Sequence, residues 1–285
     1  VDGSITYNRA RADPAVVTVD ASSPRSQASQ PATRVVLLGG SNLARGISTI
    51  VQIARRMVGG PIEFLIAMGH GRSYGRRSTV LGRSLPGITE CGLWEVLHRH
   101  DGRTTYALVT DVGNDVAYGA SVESIVGWVE ACLDHLAGHD TCTVMTPLPM
   151  ASLERLGPWR YHIARTILFP GRHLPMASAL ARARELNDGL ASLGRRRDIR
   201  LVEHDDRWYG LDPIHIRWGH LPSAWTRVLS AWQVGEPAVG HVRRSTRRWL
   251  HLRTMTPQRW WLLGFQLGRL QPAGSLPDGS TVSLF

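Results

Sequence analysis

Val35-Val36-Leu37-Leu38-Gly39-Gly40-Ser41-Asn42-Leu43 is the stretch on which the fold turns. Four apolar residues bounded by a Gly pair predict a short buried strand, and the amphipathic run from Leu43 to about Met57 predicts a helix. Ser41 therefore falls on the turn between them. In a parallel α/β sheet that turn lies at the carboxyl end of the strand, where such folds place their ligands. The first amides of the following helix can stabilise negative charge there. The plainer reading of this stretch alone is that Ser41 caps the helix. Three later segments shift that balance.

Downstream, Pro61 to Met68 predicts a second strand, ending in the loop Gly69-His70-Gly71-Arg72-Ser73-Tyr74-Gly75. A long connection carrying Arg76, Arg77 and Arg83 leads to a helix near Leu93 to His100. Thr105 to Thr110 predicts a third strand running into Asp111-Val112-Gly113-Asn114-Asp115, followed by a helix from about Ser121 to Leu136. A fourth strand at Thr141 to Thr146 is stopped by Pro147 and Pro149. The segment from Leu148 to Pro175 lacks periodicity and is long for a plain connection, as lids and pocket walls often are. A helix from about Met176 to Leu193 precedes a fifth strand, Ile199 to His204, and a loop with Trp208, Tyr209 and Asp212-Pro213-Ile214-His215. A last helix is expected from about Pro222 to Trp232. Strands alternating with helices predict a parallel sheet covered on both faces with right-handed crossovers. Strands one, two, three and five would then deliver Ser41, the Gly69 to Gly75 loop, Asn114 and His215 to one edge.

A serine hydroxyl is a weak nucleophile until a base takes its proton, and neutral His is the usual base near pH 7. A carboxylate on its other ring nitrogen commonly fixes the tautomer. Asp212 three residues before His215 lets one short loop supply both. Acyl transfer also needs donors aimed at the oxyanion, and the Ser41 amide, the backbone of Gly71 and the Asn114 side chain are suitable. Taken singly, Asp-x-x-His reads as a surface turn and Gly-Asn-Asp as an Asx turn. Their order, each just past a strand, argues against coincidence.

These segments resemble the four defining positions of the SGNH hydrolases, also called the GDSL esterase/lipase family, over roughly residues 34 to 232. The resemblance implies an α/β fold, a flavodoxin-like three-layer αβα sandwich with a five-stranded parallel sheet. It implies Ser41, Asp212 and His215 as triad, and the Ser41 amide, Gly71 amide and Asn114 side chain as oxyanion hole. It departs from the family pattern at Gly40, which replaces the Asp that usually precedes the nucleophile, and at Val112, which holds the first Gly position of the third block. Gly69 rivals Gly71, and Gly71 is preferred because Gly-Arg-Ser resembles the family's Gly followed by a polar pair. The other serine-hydrolase elbow, Gly-x-Ser-x-Gly, is disfavoured because Leu43 occupies its last position.

The remaining composition bounds partners and compartment. The 285 residues carry a formal charge of +10, and every basic side chain is Arg. Cys91, Cys132 and Cys142 have neither metal-ligand spacing nor scaffold density and are expected to be reduced. Asp111, Asp115, His204, Asp205 and Asp206 form no recognised metal motif, so neither metal nor cofactor is expected. Residues 1–33, rich in Ala, Ser, Pro and Arg, are read as a disordered leader, 34–236 as the hydrolase domain and 237–285 as an appendage. No signal-peptide core is present and the cytoplasm is the default compartment. In the appendage Arg243, Arg244, Arg247, Arg248, Arg253, Arg259 and Arg269 accumulate with Trp249, Trp260 and Trp261, and no acid stands between Val242 and Pro277. Arg with Trp is the composition of an interfacial amphipathic helix, which would bring an anionic membrane surface to residues 241–271. The plainer reading folds the Trp side chains back on the sheet. Nucleic acid is not expected, for want of a recognised module. The function expected is hydrolysis of a small-molecule carboxylic ester, and the alternative is an idle domain of this fold docked through its tail. Trp159, Trp208, Tyr209 and Trp218 could wall either an acyl pocket or a sugar platform.

Overall fold

The structure, a computed structural model, describes residues 31–99, 102–157, 175–234 and 246–285. In chain order its elements are β1 (Thr33–Gly39), α1 (Ser41–Val58), β2 (Ile62–Met68), β3 (Ser78–Val80), β4 (Arg83–Leu85), α2 (Leu93–Leu97), β5 (Thr104–Val109), α3 (Asn114–Ala117), α4 (Val122–Ala137), β6 (Thr141–Met145), α5 (Met150–Glu154), α6 (Met176–Arg196), β7 (Arg200–Leu201), α7 (Leu221–Ser230), α8 (Thr246–Thr254), β8 (Arg259–Leu262), β9 (Phe265–Gly268), β10 (Gly274–Ser275) and β11 (Thr281–Leu284). Residues 1–30 of the leader, Trp159, Arg243 and Arg244 lie outside the described residues.

Among the described residues the main sheet runs β10-β11-β2-β1-β5-β6-β7, parallel throughout except at β10. The five expected strands are its consecutive middle and one edge, β2-β1-β5-β6-β7. That is the flavodoxin-like order, whose topological switch lies between β1 and β5. Val36, Leu38, Leu65, Ala67, Ala107 and Val109 face α2, α4 and α6. Val35, Leu37, Phe64, Ile66, Leu108 and Val144 face α1, α7 and Leu252 of α8. Alternate residues of one strand thus enter opposite cores, which is why β1 reads as an uninterrupted apolar run rather than an alternating one. Val35 to Leu38 are wholly excluded from solvent, and each such side chain stabilises the fold by about 1.5–3 kcal/mol.

Two expectations are corrected. The fifth strand, expected over Ile199 to His204, pairs only at Arg200 and Leu201. The sheet has a sixth parallel member, β11, registered Thr281↔Glu63 to Leu284↔Ile66, and an antiparallel edge, β10. Residues 246–285 pack against this sheet: Val282, Leu284 and Phe285 are buried, and Leu252 and Met255 pack in the α1 core. Among the described residues of the Arg/Trp stretch, Thr246–Thr254 is helical and Pro257 is followed by the β8–β9 hairpin.

That hairpin joins a second sheet, β3-β4-β8-β9, antiparallel throughout. Half of it comes from the segment after the Gly69 to Gly75 loop, which the sequence presents as a plain connection. Both hairpins close in two residues, Leu81-Gly82 and Leu263-Gly264, all four with positive φ. Such a turn matches the twist of the strands it joins. No helix among the described residues is long and apolar enough to cross a membrane.

Candidate active site

Ser41 is the first residue of α1, at the carboxyl end of β1 and beside the switch point. Its Oγ stands 2.8 Å from His215 Nε2, and His215 Nδ1 stands 2.6 Å from Asp212 Oδ2. Asp212 Oδ1 also accepts from the Ile214 and His215 amides, at 3.2 Å each, so one carboxylate both shapes the loop and orients the ring. Burial pulls the Asp212 carboxyl upward, but the hydrogen bond and charge of His215 and the two amides outweigh it and leave it below the ordinary carboxylate range. With the carboxylate holding the proton on Nδ1, Nε2 is left bare to accept from the serine hydroxyl. Arg45 lies 4.0 Å from the same carboxylate and over the ring of Trp218.

The Gly-rich loop and Asn114 are fastened to each other. Asn114 Nδ2 donates to the Arg72 carbonyl at 3.0 Å, and the Tyr118 hydroxyl donates to the Gly71 carbonyl at 2.5 Å. Asp115 accepts from the Ser73 hydroxyl and, at 2.8 Å, from the Tyr74 amide. Asp115 thus ties the Asn114 loop to the Gly-rich loop. Gly71 has φ +59, and a Cβ there would stand 2.8 Å from Val80 Cγ2. Left-handed backbone and close approach both require glycine at that position. Gly69, its rival, has its carbonyl engaged by the Arg72 amide and no positive φ.

Two functional side chains escape a reading of the sequence. Asp111, in the left-handed region at φ +59, accepts from the Gly40 and Leu43 amides on either side of Ser41, at 3.1 and 3.0 Å. It supplies from the end of β5 a carboxylate for the start of α1. A side chain at Gly40 would be crowded out, since a Cβ would lie 2.6 Å from Asn114 Nδ2 and 3.0 Å from Asp111 Cβ. Asn42 donates to Asp111 Oδ1 at 2.9 Å and to the Ile214 carbonyl at 2.8 Å, and accepts from the Ile216 amide at 2.8 Å. It therefore grips the chain on both sides of His215. The only signal for either residue was position: an Asx side chain just past a strand end.

Other expected residues go elsewhere. Trp208 and Tyr209 are buried in the α1 and α7 core. Tyr209 Oη lies 2.6 Å from His204 Nδ1, and His204 Nε2 lies 2.8 Å from the Pro147 carbonyl. Trp218 remains partly exposed beside Arg45. Asp205 pairs with Arg207 and Asp206 with Arg155, and among the described residues no three His, Cys, Asp or Glu side chains gather as a metal site would require. The three cysteines are free. On the rim His70 Nε2 faces Arg253 Nη1 at 2.9 Å, and partial burial, with the charges of Arg253, His215 and Arg45, pushes its pKa down to about 4.

No protein-family model and no curated protein matches this chain. Among solved structures it is similar to a carbohydrate acetylesterase family member from Sinorhizobium meliloti, at 15% identity over 73% of this chain and 97% of that one, with a TM-score of 0.46. It is also similar to the inhibitor-bound aryl esterase of M. smegmatis, at 15% identity, 71% and 98% coverage and a TM-score of 0.45. A GDSL-like lipase from Bacteroides thetaiotaomicron follows at 12% identity, 71% and 88% coverage and a TM-score of 0.43. At such identities and TM-scores these likenesses assign no chemistry to this chain. Its resemblance to the SGNH hydrolases rests instead on the strand order β2-β1-β5-β6-β7 and on the four segments gathered past the ends of those strands.

Proposed function

We propose that this protein is a serine hydrolase of the SGNH type that cleaves a carboxylic ester through a covalent acyl-enzyme. The observation that carries the reading is the unbroken line Asp212–His215–Ser41 at the switch point of the sheet. Ser41 Oγ attacks the ester carbonyl carbon while His215 Nε2 takes its proton. The carbonyl π pair moves to oxygen. Collapse of that oxyanion expels the alkoxide, which receives the proton from His215, and leaves Ser41 acylated. Water then repeats the sequence, giving its proton to His215, releasing the acid and restoring the hydroxyl.

The Ser41 amide, the Gly71 amide and the Asn114 side chain serve as donors to the oxyanion. Asn114 Nδ2 carries two N–H bonds. The one given to Arg72 fixes the plane of the amide and leaves the other for the ligand. The N-terminus of the 18-residue α1 adds a favourable field. Asp111 opposes it with a nearby negative charge, so the three donors must supply most of the stabilisation.

The test is covalent labelling with a fluorophosphonate probe, followed by p-nitrophenyl esters of increasing acyl length. Labelling at Ser41 that disappears in Ser41→Ala, together with turnover of at least one ester, is the expected result. Equal labelling of the variant would sink the assignment.

A further inference from the structure

Directly opposed residues of an antiparallel pair share a face, so the register of the small sheet sets Val80 with Arg83, Arg83 with Leu262, Leu262 with Phe265, and Trp260 with Leu267 on one side. On the other side Trp261 is stacked by Arg77 at 3.7 Å and lies 5.7 Å from Arg259. This first side is open only towards β9, since Ser78 and Leu85 at its other end are buried. Phe265 is 76% exposed, with Leu262 and Leu267 also open to solvent. It begins at the proposed oxyanion loop, because Val80 abuts Gly71.

The hairpin tips point the same way. Leu81 is 100% and Leu263 77% exposed, and the two turns touch through the Leu263 amide, which donates to the Gly82 carbonyl at 2.9 Å. Both leucines sit at φ near +50, where Asn, Asp or Gly is the residue that such a turn prefers. A left-handed leucine is strained by its Cβ, and each also presents its side chain to water. The strands and their flanks, residues 76–85 and 258–270, hold Arg76, Arg77, Arg83, Arg259 and Arg269 and no acid. Apolar tips flanked by arginines complement an anionic lipid surface, with the side chains entering the acyl boundary and the guanidinium groups meeting the headgroups.

We infer that the β3-β4-β8-β9 sheet docks this protein on an anionic lipid surface through Leu81, Leu263, Phe265 and their neighbours, with the Ser41 site beside the contact. The docking element is thus a pair of hairpins from two distant parts of the chain. A helix in the Arg/Trp-rich stretch is not needed for it.

The experiment uses the full chain and sedimentation with phosphatidylglycerol-containing or pure phosphatidylcholine vesicles. Wild-type protein should pellet with the former at low ionic strength and progressively less as salt rises. Leu81→Asn/Leu263→Asn should weaken that binding about a hundredfold, roughly one decade for each leucine withdrawn. Because Asn suits the turn, its melting temperature should stay level or rise, which separates lost docking from lost folding. Arg259→Gln/Arg269→Gln should flatten the salt dependence. Ser41→Ala should bind vesicles like the wild type, so this inference stands or falls apart from the hydrolase reading. Absence of wild-type binding at low salt, or binding unchanged in the Asn pair, would overturn it. So would a solution dimer that the Asn pair dissolves without any vesicle binding, since the patch would then be covered by a second copy.

Discussion

Ser41 and His215 face each other at 2.8 Å but are held by different means. Ser41 is fixed by backbone: a fully buried strand runs directly into an 18-residue helix, with Asp111 pinning the amides on either side of it. His215 comes from the loop beyond β7, at the edge of the sheet three strands from β1, a distance of about 14 Å. What brings it back is a handful of side-chain hydrogen bonds, chiefly from Asn42 and Asp212. The position of Ser41 is therefore a property of the fold, whereas that of His215 is a property of a few amides and one carboxylate.

The harshest break removes either end of the pair. Ser41→Ala and His215→Ala should each reduce ester turnover by about 10⁴-fold or more, since such groups act as a unit, with melting temperatures near that of the wild type. Next comes Asn114→Ala, expected to lower kcat by roughly 10²- to 10³-fold with little change in KM if its amide serves the oxyanion. A tie between loops alone would instead lower the melting temperature and leave turnover per folded molecule near normal.

The contrast itself is sharpened by Asn42→Ala. Loosening the base loop by about an ångström should cost on the order of 10²-fold in kcat, while helix α1 stays in place. Asn42→Asp should be worse than Asn42→Ala, because it sets an acceptor against the Asp111 carboxylate and the Ile214 carbonyl. Stopped-flow acylation with a chromogenic ester reads the effect, and equal rates in Asn42→Ala and wild type would show that the loop is held without it.

The smallest effect concerns the rim. His70 has its pKa lowered from 6.5 to about 4 in the folded chain, so the unfolded chain takes up this proton first as pH falls. Its contribution to stability is whole above about 6.5 and is lost as pH descends towards about 4. The melting temperature of the wild type should drop relative to His70→Gln across that window. Parallel curves would show that the ring does not resist protonation.

How far the sequence was legible follows the same division. The Val35 to Leu38 run, the Gly pair and the amphipathic helix after them are local patterns, and they located β1, α1 and Ser41. Asp212 and His215 were legible as a pair because a spacing of three needs no tertiary knowledge, and their partnership is present at 2.6 Å. Asn42 and Asp111 were not legible, since their bonds span 172 and 71 positions. The small sheet was hidden for another reason. Its turns carry leucine where a hairpin signal would be Asn-Gly, and β3 and β4 are three residues each. Strand β11, Thr-Val-Ser-Leu, is likewise too short for periodicity to mark, and it is defined by its neighbour β2 rather than by its own composition.

The position of β11 also bears on how the chain reaches its native state. The hydroxyl of Ser280 accepts from the amide of Ile62, a separation of 218 positions. Until residues 281–284 have been synthesised, β2 stands at an open edge, its hydrogen-bonding groups and apolar side chains available to any other extended chain. Non-local parallel pairing of this kind is slow to form. A growing or refolding molecule therefore passes through a long interval in which its most aggregation-prone strand is unguarded, and recovery of soluble protein should depend on dilution and on holdase chaperones more than the stability of the finished fold would suggest.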